Sequence, residues 1–282
     1  RISGALVLEE DAARPRGFQD TIHFKGRSRL LLEAAVDADP SKPGGSQRVR
    51  IDPDAPLKGS VDEGRFTLLG EALLDGLTLR AVELHLHGAN IAYRIPGVAE
   101  FTANPRLTFS GRPEIGEPYT LAGDVRLVSG LFHKDFDEVR QMLSGLVTER
   151  SAAYSRPLDE LLPWLRDLRF DVRLLSNSFD VRSRLPFGQA DLSLNLDLRL
   201  GGRWGGIELY DRIDIVPGSM VTYQVVGRDF EVTRGVIDFS GDMSRPRLDV
   251  RAKSDIDYIV SSGTLSTTGT SLTDVEREET VT

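Results

Sequence analysis

The chain has 282 residues, 40% apolar and 28% charged, which is the balance of a folded protein long enough for one large β domain or two ordinary ones. Its formal charge of -8 argues against nucleic acid as a partner, because phosphate binding needs a basic field. Cysteine is absent, which excludes thiolate metal sites, cysteine nucleophiles and disulfide frameworks at once.

Taken in order, strands are expected at Ile2–Glu9 and Thr21–Val36. Asp37–Pro56, with Pro40, Pro43, Gly44, Gly45 and Pro53, reads as a loop by composition. Apolar/polar alternation resumes at Gly64 with Phe66/Leu68, Leu77/Leu79, Val82/Leu84/Leu86 and Ile91/Tyr93/Ile95, punctuated by Gly70, Gly76 and Gly88. Short runs bounded in this way describe a meander with tight turns. Further strands follow at Phe101–Phe109, Tyr119–Val128 and Leu131–Phe136.

The period then changes. Phe136, Val139, Leu143, Leu146 and Val147 recur every three or four residues, one face of a helix. A second short helix is expected from Pro157, with Leu158, Leu161, Leu162 and Leu165 inward and a kink at Pro163. Alternation returns after Arg169 and runs through Phe170/Val172/Leu174, Phe179/Val181, Ile213/Ile215, Val221/Tyr223/Val225, Phe230/Val232, Ile237/Phe239, Leu248/Val250/Ala252 and Ile256/Tyr258/Val260. Gly263–Leu272 is rich in Ser, Thr and Gly and reads as a loop.

The strongest alternation lies between Ala190 and Leu200. Leu192, Leu194, Leu196, Leu198 and Leu200 share one face of a strand; Asp191, Ser193, Asn195, Asp197 and Arg199 share the other. Such a strand is buried on one side only. The two β stretches also resemble each other: Pro96, Leu107–Gly111 and Gly130 have counterparts at Pro186, Asp197–Gly201 and Gly218. A repeated unit with one apolar face points to stacking along an axis.

A one-sided sheet must cover its apolar face. Two short helices cannot serve about fifteen strands, so the sheet either folds on itself as a sandwich or curls and leaves a trough. The sandwich is the commoner outcome for alternating strands.

Catalytic signatures are missing. His85 and His87 share a strand face as two ligands of one metal would, but Leu84 and Leu86 hold the other face and no third ligand lies nearby. A solvated face is the better account of both. Gly201-Gly202-Arg203-Trp204-Gly205-Gly206 joins strand to strand and reads as a hairpin loop, since a phosphate cradle needs a helix N-terminus there. No residue is assigned to catalysis, and neither metal nor cofactor is expected.

Four stretches carry a resemblance. Arg212–Met220 places a strand before a turn glycine, and Gly227-Arg228-Asp229-Phe230-Glu231-Val232 centres a strand on Phe230. Gly235-Val236-Ile237-Asp238-Phe239 and Pro246-Arg247-Leu248-Asp249-Val250 follow in order. The set resembles the C-terminal domain of the TamB family, most strongly over Phe170–Lys253, more loosely over Gly64–Phe136, and not over the first 60 residues. The resemblance reverses the choice between sandwich and trough. It implies an all-β chain, an elongated curled β-sheet trough of the β-taco kind with an apolar concave face and two short helices. The divisions would be a trough segment over residues 1–136, a helical insertion over 137–168 and a TamB-like segment over 169–282.

It also implies a non-enzymatic role in outer-membrane biogenesis in the periplasm. Phospholipid acyl chains would pass along a groove lined by Leu84, Leu86, Leu107, Phe109, Val125, Leu127, Leu192, Leu194, Leu196, Leu198, Leu200, Ile213 and Ile215. The implied partner is an Omp85-type outer-membrane barrel resembling TamA, with the contact expected beyond Thr282. An inner-membrane anchor is expected outside these residues, since no run approaches the ~18 apolar residues of a spanning helix. The alternative is an assembly factor for outer-membrane β-barrel proteins that acts by strand addition. A carbohydrate-binding or adhesin-like sandwich is a third reading, weakened by an aromatic content of only 7%.

Overall fold

The computed structural model describes residues 4–8, 12–13, 22–34, 47–76, 78–95, 99–132, 163–185, 188–225, 227–243, 245–260 and 275–281. Strands dominate. The N-terminal part contains β1 (Gly4–Leu8), β2 (Ala12–Ala13), β3 (Ile22–Phe24), β4 (Ser28–Ala34), β5 (Gln47–Ile51), β6 (Leu57–Val61), β7 (Gly64–Asp75), β8 (Thr78–Ala89) and β9 (Ile91–Ile95). Then come β10 (Ala99–Arg112), β11 (Glu117–Phe132), β12 (Arg169–Leu185), β13 (Gly188–Arg203) and β14 (Gly206–Ile215). The chain closes with β15 (Met220–Tyr223), β16 (Arg228–Gly241), β17 (Arg247–Val260) and β18 (Val275–Val281). Short 3-10 turns occupy Pro113–Ile115 and Pro163–Asp167.

These strands form one large curled sheet, an all-β trough. Neighbours pair in the spatial order β7, β8, β10, β11, β12, β13, β14, β16, β17. All of these pairs are antiparallel except β11 with β12. That parallel pair joins the two β segments edge to edge, and residues 133–168 connect its strands in the sequence. Long strands are flanked by broken ones. β8 and β9 share one side of β10, β14 and β15 share one side of β13, and β5 and β6 share one side of β7.

The breaks line up. Register shifts occur at Thr102/Ala103 in β10, Ser176/Phe179 in β12 and Val232/Arg234 in β16. Val216–Ser219 separates β14 from β15 between the last two, and Asn90 (φ 54) separates β8 from β9 next to the first. Bulges bend a strand and increase its twist, so a row of them across adjacent strands makes a crease. Polar groups freed there are satisfied locally. The Asn90 N–H donates to Asn104 Oδ1 (2.6 Å), and the Ser193 N–H donates to Ser219 Oγ (3.0 Å). Val181, Leu192 and Val221 on one side of the crease pack in one cluster with Leu198, Ile213 and Phe239 on the other. The sheet therefore folds toward its apolar side.

Several expectations need correction. The tract expected to be a loop over Asp37–Pro56 contains β5, whose Val49 and Ile51 alternate with Arg48 and Arg50 and face β4. The described part of the expected Thr21–Val36 strand region is two strands, Ile22–Phe24 and Ser28–Ala34, separated at Gly26 (φ 76), and eighteen strands are present among the described residues instead of about fifteen. Gly130 and Gly218 are not equivalent. Gly218 has φ 92 in a turn, whereas Gly130 lies inside β11, where an added Cβ would come within 2.1 Å of the Phe179 ring. The helix expected over Phe136–Val147 lies outside the described residues, as does Gly263–Leu272. Pro163–Asp167, the end of the second expected helix, is a 3-10 turn.

Candidate functional site

Residues in register across a sheet share a face, so the pairing builds the apolar face row by row. One row runs Leu68, Leu86, Leu107, Gly123, Val172, Leu200, Leu209. It crosses seven strands, roughly 29 Å at about 4.8 Å per strand. A second row is Leu84, Phe109, Leu121, Phe170. A third is Leu196, Ile213, Ile237, Leu248, and a fourth is Leu194, Ile215, Gly235, Val250. Val125 pairs with Leu174 and Leu174 with Leu198; Leu127 pairs with Ala103. All thirteen residues expected to line a groove thus lie on one face of one sheet.

Their burial is graded. Leu194 (4%), Leu198 (6%), Ile213 (7%) and Ile215 (7%) are buried, while Leu84, Leu86, Leu107, Phe109, Val125, Leu127, Leu192, Leu196 and Leu200 are only half-buried. Leu248 (63%) and Val250 (47%), which extend two of the rows onto β17, are exposed. In two sheets packed face to face, large side chains at the centre would be fully enclosed. Here the largest fully buried side chains among the described residues are Val232 and Ser28. The face is a one-layered apolar wall.

The opposite face is polar and internally neutralised. Arg173 pairs with Asp197 (2.8 Å), Arg212 with Asp238 (3.4 Å), Arg182 with Asp191 (3.4 Å) and Lys253 with Glu231 (3.1 Å). The Arg173 hydrogen bond holds the Asp197 carboxyl below its ordinary range. A shallow hollow of about 640 Å³ lies among Arg173, Asp197, Arg199, Tyr210, Arg212 and Asp238. Arg199 stacks on the Tyr210 ring at 5.1 Å. His85 lies on this side too, with Nδ1 at 3.1 Å from Thr108 Oγ1 and Nε2 at 3.5 Å from Glu83.

The end of the second helical segment, whose apolar stripe is expected to lie as a plug or lid on the apolar surface, does lie on it, as a 3-10 turn instead of a helix. The turn Pro163–Asp167 lies against the apolar wall at the strand ends. Leu165 (7%) and Leu168 (6%) are buried in one cluster with Val82 and Tyr119, ringed by Leu84, Phe109, Leu121, Trp164, Phe170 and Trp204. Burial holds the Tyr119 phenol above its ordinary pKa, and its hydroxyl donates to the Leu79 carbonyl (2.5 Å). Leu165 belongs to the stripe expected to face inward, whereas Trp164 and Leu168 are not singled out from the sequence.

A family model for the TamB C-terminal domain matches residues 54–276. The chain belongs to the TamB family. The match takes in both β segments and the stretch between them, beyond the Phe170–Lys253 core where the residue pattern is strongest. Comparison with curated proteins and with solved structures returned no match. TamB proteins are transport and assembly modules linked to outer-membrane biogenesis and work in general with TamA-type partners.

Proposed function

We propose that this TamB-family chain carries phospholipid acyl chains along its apolar face between the inner and outer membranes. The observation that carries the reading is the set of register-linked apolar rows crossing the sheet with, among the described residues, no second sheet over them. Each CH₂ taken out of water contributes roughly 0.8 kcal/mol. A tail is therefore held well at many positions, and neighbouring leucines of one size keep the steps between positions shallow. Headgroups stay in water at the rim. No side chain performs chemistry, and no metal or cofactor takes part.

In this reading the chain works in the periplasm, held to the inner membrane by a segment outside these residues. An Omp85-type barrel resembling TamA receives the lipid at the outer membrane. Native mass spectrometry of the purified protein tests the proposal. Co-purified phospholipid, lost on Leu196→Arg while the protein stays folded, is the expected result. Lipid-free protein under conditions that preserve weak complexes contradicts it.

A second reading has one observation in its favour. Among the described residues, Arg247–Lys253 of β17 pair with β16 alone, leaving an edge beside the exposed Leu248 and Val250. An edge with an apolar flank can accept an extended strand from a client β-protein. Capture of unfolded barrel polypeptide, in place of lipid, would favour this assembly role.

A further inference from the structure

The chain has two tryptophans, and both belong to the cluster that the Pro163–Asp167 turn forms with the wall, Trp164 from the turn and Trp204 from just past the end of β13. The Trp164 ring centroid is 5.2 Å from that of Phe109 and 5.8 Å from that of Tyr119, and Trp204 stacks on Phe170 at 6.5 Å. The wall beneath is the row Leu84, Phe109, Leu121, Phe170, next to the row of Leu86, Leu107 and Val172. The rows differ in what lies over them. Among the described residues, Leu86 and Leu107 have no such turn packed on them, whereas the first row carries a tryptophan and a leucine from the chain itself.

Two backbone hydrogen bonds are among the contacts that hold the turn. The Leu168 N–H donates to the Leu165 carbonyl (3.0 Å) within the turn, and the Trp204 N–H donates to the Leu168 carbonyl (2.9 Å). The contact that Trp164 and Leu165 make with the wall is apolar and non-directional, the kind an acyl chain reproduces. Tyr119, tied to Leu79, belongs to the wall and stays with it.

We propose that the Pro163–Leu168 turn is a displaceable seal over an acyl-chain subsite formed by Leu84, Phe109, Leu121 and Phe170, with Trp164 and Leu165 occupying the place of the lipid tail. The proposal rests on the acyl-carrying reading above. Lipid reaching this part of the wall lifts the two side chains into water, and the empty protein keeps the row covered. A seal of this kind lowers the apparent affinity of the subsite by the fraction of time it is open.

The test uses the full chain carrying Trp204→Phe, which leaves Trp164 as the sole tryptophan. It is incubated with mixed vesicles of phosphatidylethanolamine and phosphatidylglycerol, and bound lipid is counted by native mass spectrometry. Trp164 emission is expected to shift red and become quenchable by iodide as lipid loads. Leu165→Ser, added to the same protein, is expected to raise the loaded fraction at limiting lipid by about tenfold. Should Leu165→Ser fail to give the β-sheet circular dichroism of the parent, Leu165→Ala serves in its place. Protein that loads lipid with Trp164 emission unchanged, and with loading indifferent to residue 165, overturns the seal and leaves the acyl-chain reading standing. Protein that takes up no lipid in either form overturns both.

Discussion

The apolar wall is one surface with two fates. At the strand ends around Val82, Tyr119, Leu165 and Leu168, the chain covers its own wall and buries those side chains to 3–7% exposure. Along the leucine ladder Leu194 and Leu198 are buried beside the crease, but Leu192, Leu196 and Leu200 are left half-buried, and exposure reaches 63% at Leu248 on β17. Both regions are built from alternating strands in register, so the difference lies in what lies over them. The covered region draws its stability from the chain itself, and the uncovered region has apolar area left to give to another molecule. Exposed contiguous apolar surface is uncommon on a protein without a partner for it.

This contrast can be broken or sharpened by substitution. The largest effect is expected at Val232, which is fully buried where β15, β16 and β17 meet. Val232→Asp places a carboxyl without a partner there and should cost more than about 3 kcal/mol, read as loss of the cooperative transition in chemical denaturation. Next comes the paired comparison of Leu165→Ala with Leu196→Ala. The first empties a covered site and should cost about 2–3 kcal/mol. The second trims a half-buried side chain and should cost about 1 kcal/mol. Equal losses would mean that the ladder is packed as tightly as the sealed end.

Tyr119→Phe is smaller again. Removing the hydroxyl leaves the Leu79 carbonyl without this donor and should cost about 1 kcal/mol. It should also change the alkaline limb of stability. The folded-state pKa of Tyr119 is raised above that of the unfolded phenol, so its contribution is full below the ordinary tyrosine range. The contribution declines as pH rises through the folded pKa. The Phe variant should lack that part of the decline in thermal melts above about pH 10. The smallest effect is expected on the polar face. Arg173→Ala removes an exposed pair with Asp197, and the melting temperature at neutral pH should stay within experimental scatter.

Much of the wall was legible because its signal is local. Leu192 to Leu200 alternate without interruption, and a strand of period two has only one way to place them. The ordered TamB residues then supplied what alternation cannot, the choice between a curled sheet and a sandwich. Three features were hidden for physical reasons. β5 sits between Pro- and Gly-rich stretches that outweigh its two alternating apolar residues, Val49 and Ile51. The crease depends on bulges at Ser176/Phe179 and Val232/Arg234, each a single extra residue whose meaning depends on the partner strand. The contact of Leu165 with the wall is expected from its three-and-four stripe, but the 3-10 form of Pro163–Asp167 and the place of Trp164 depend on meeting a distant wall. Gly130 shows the same limit: a glycine that makes room for the Phe179 ring reads like one that makes a turn.

The central claim is that the uncovered wall holds acyl chains. A photo-crosslinking residue at position 196, on the apolar face, compared with one at position 195, on the polar face of the same strand, tests it most directly. The account predicts phospholipid adducts from position 196 and none from position 195 when the protein is irradiated in diderm cells or with phospholipid vesicles. Equal labelling from both positions, or none from position 196 in folded protein, would contradict it.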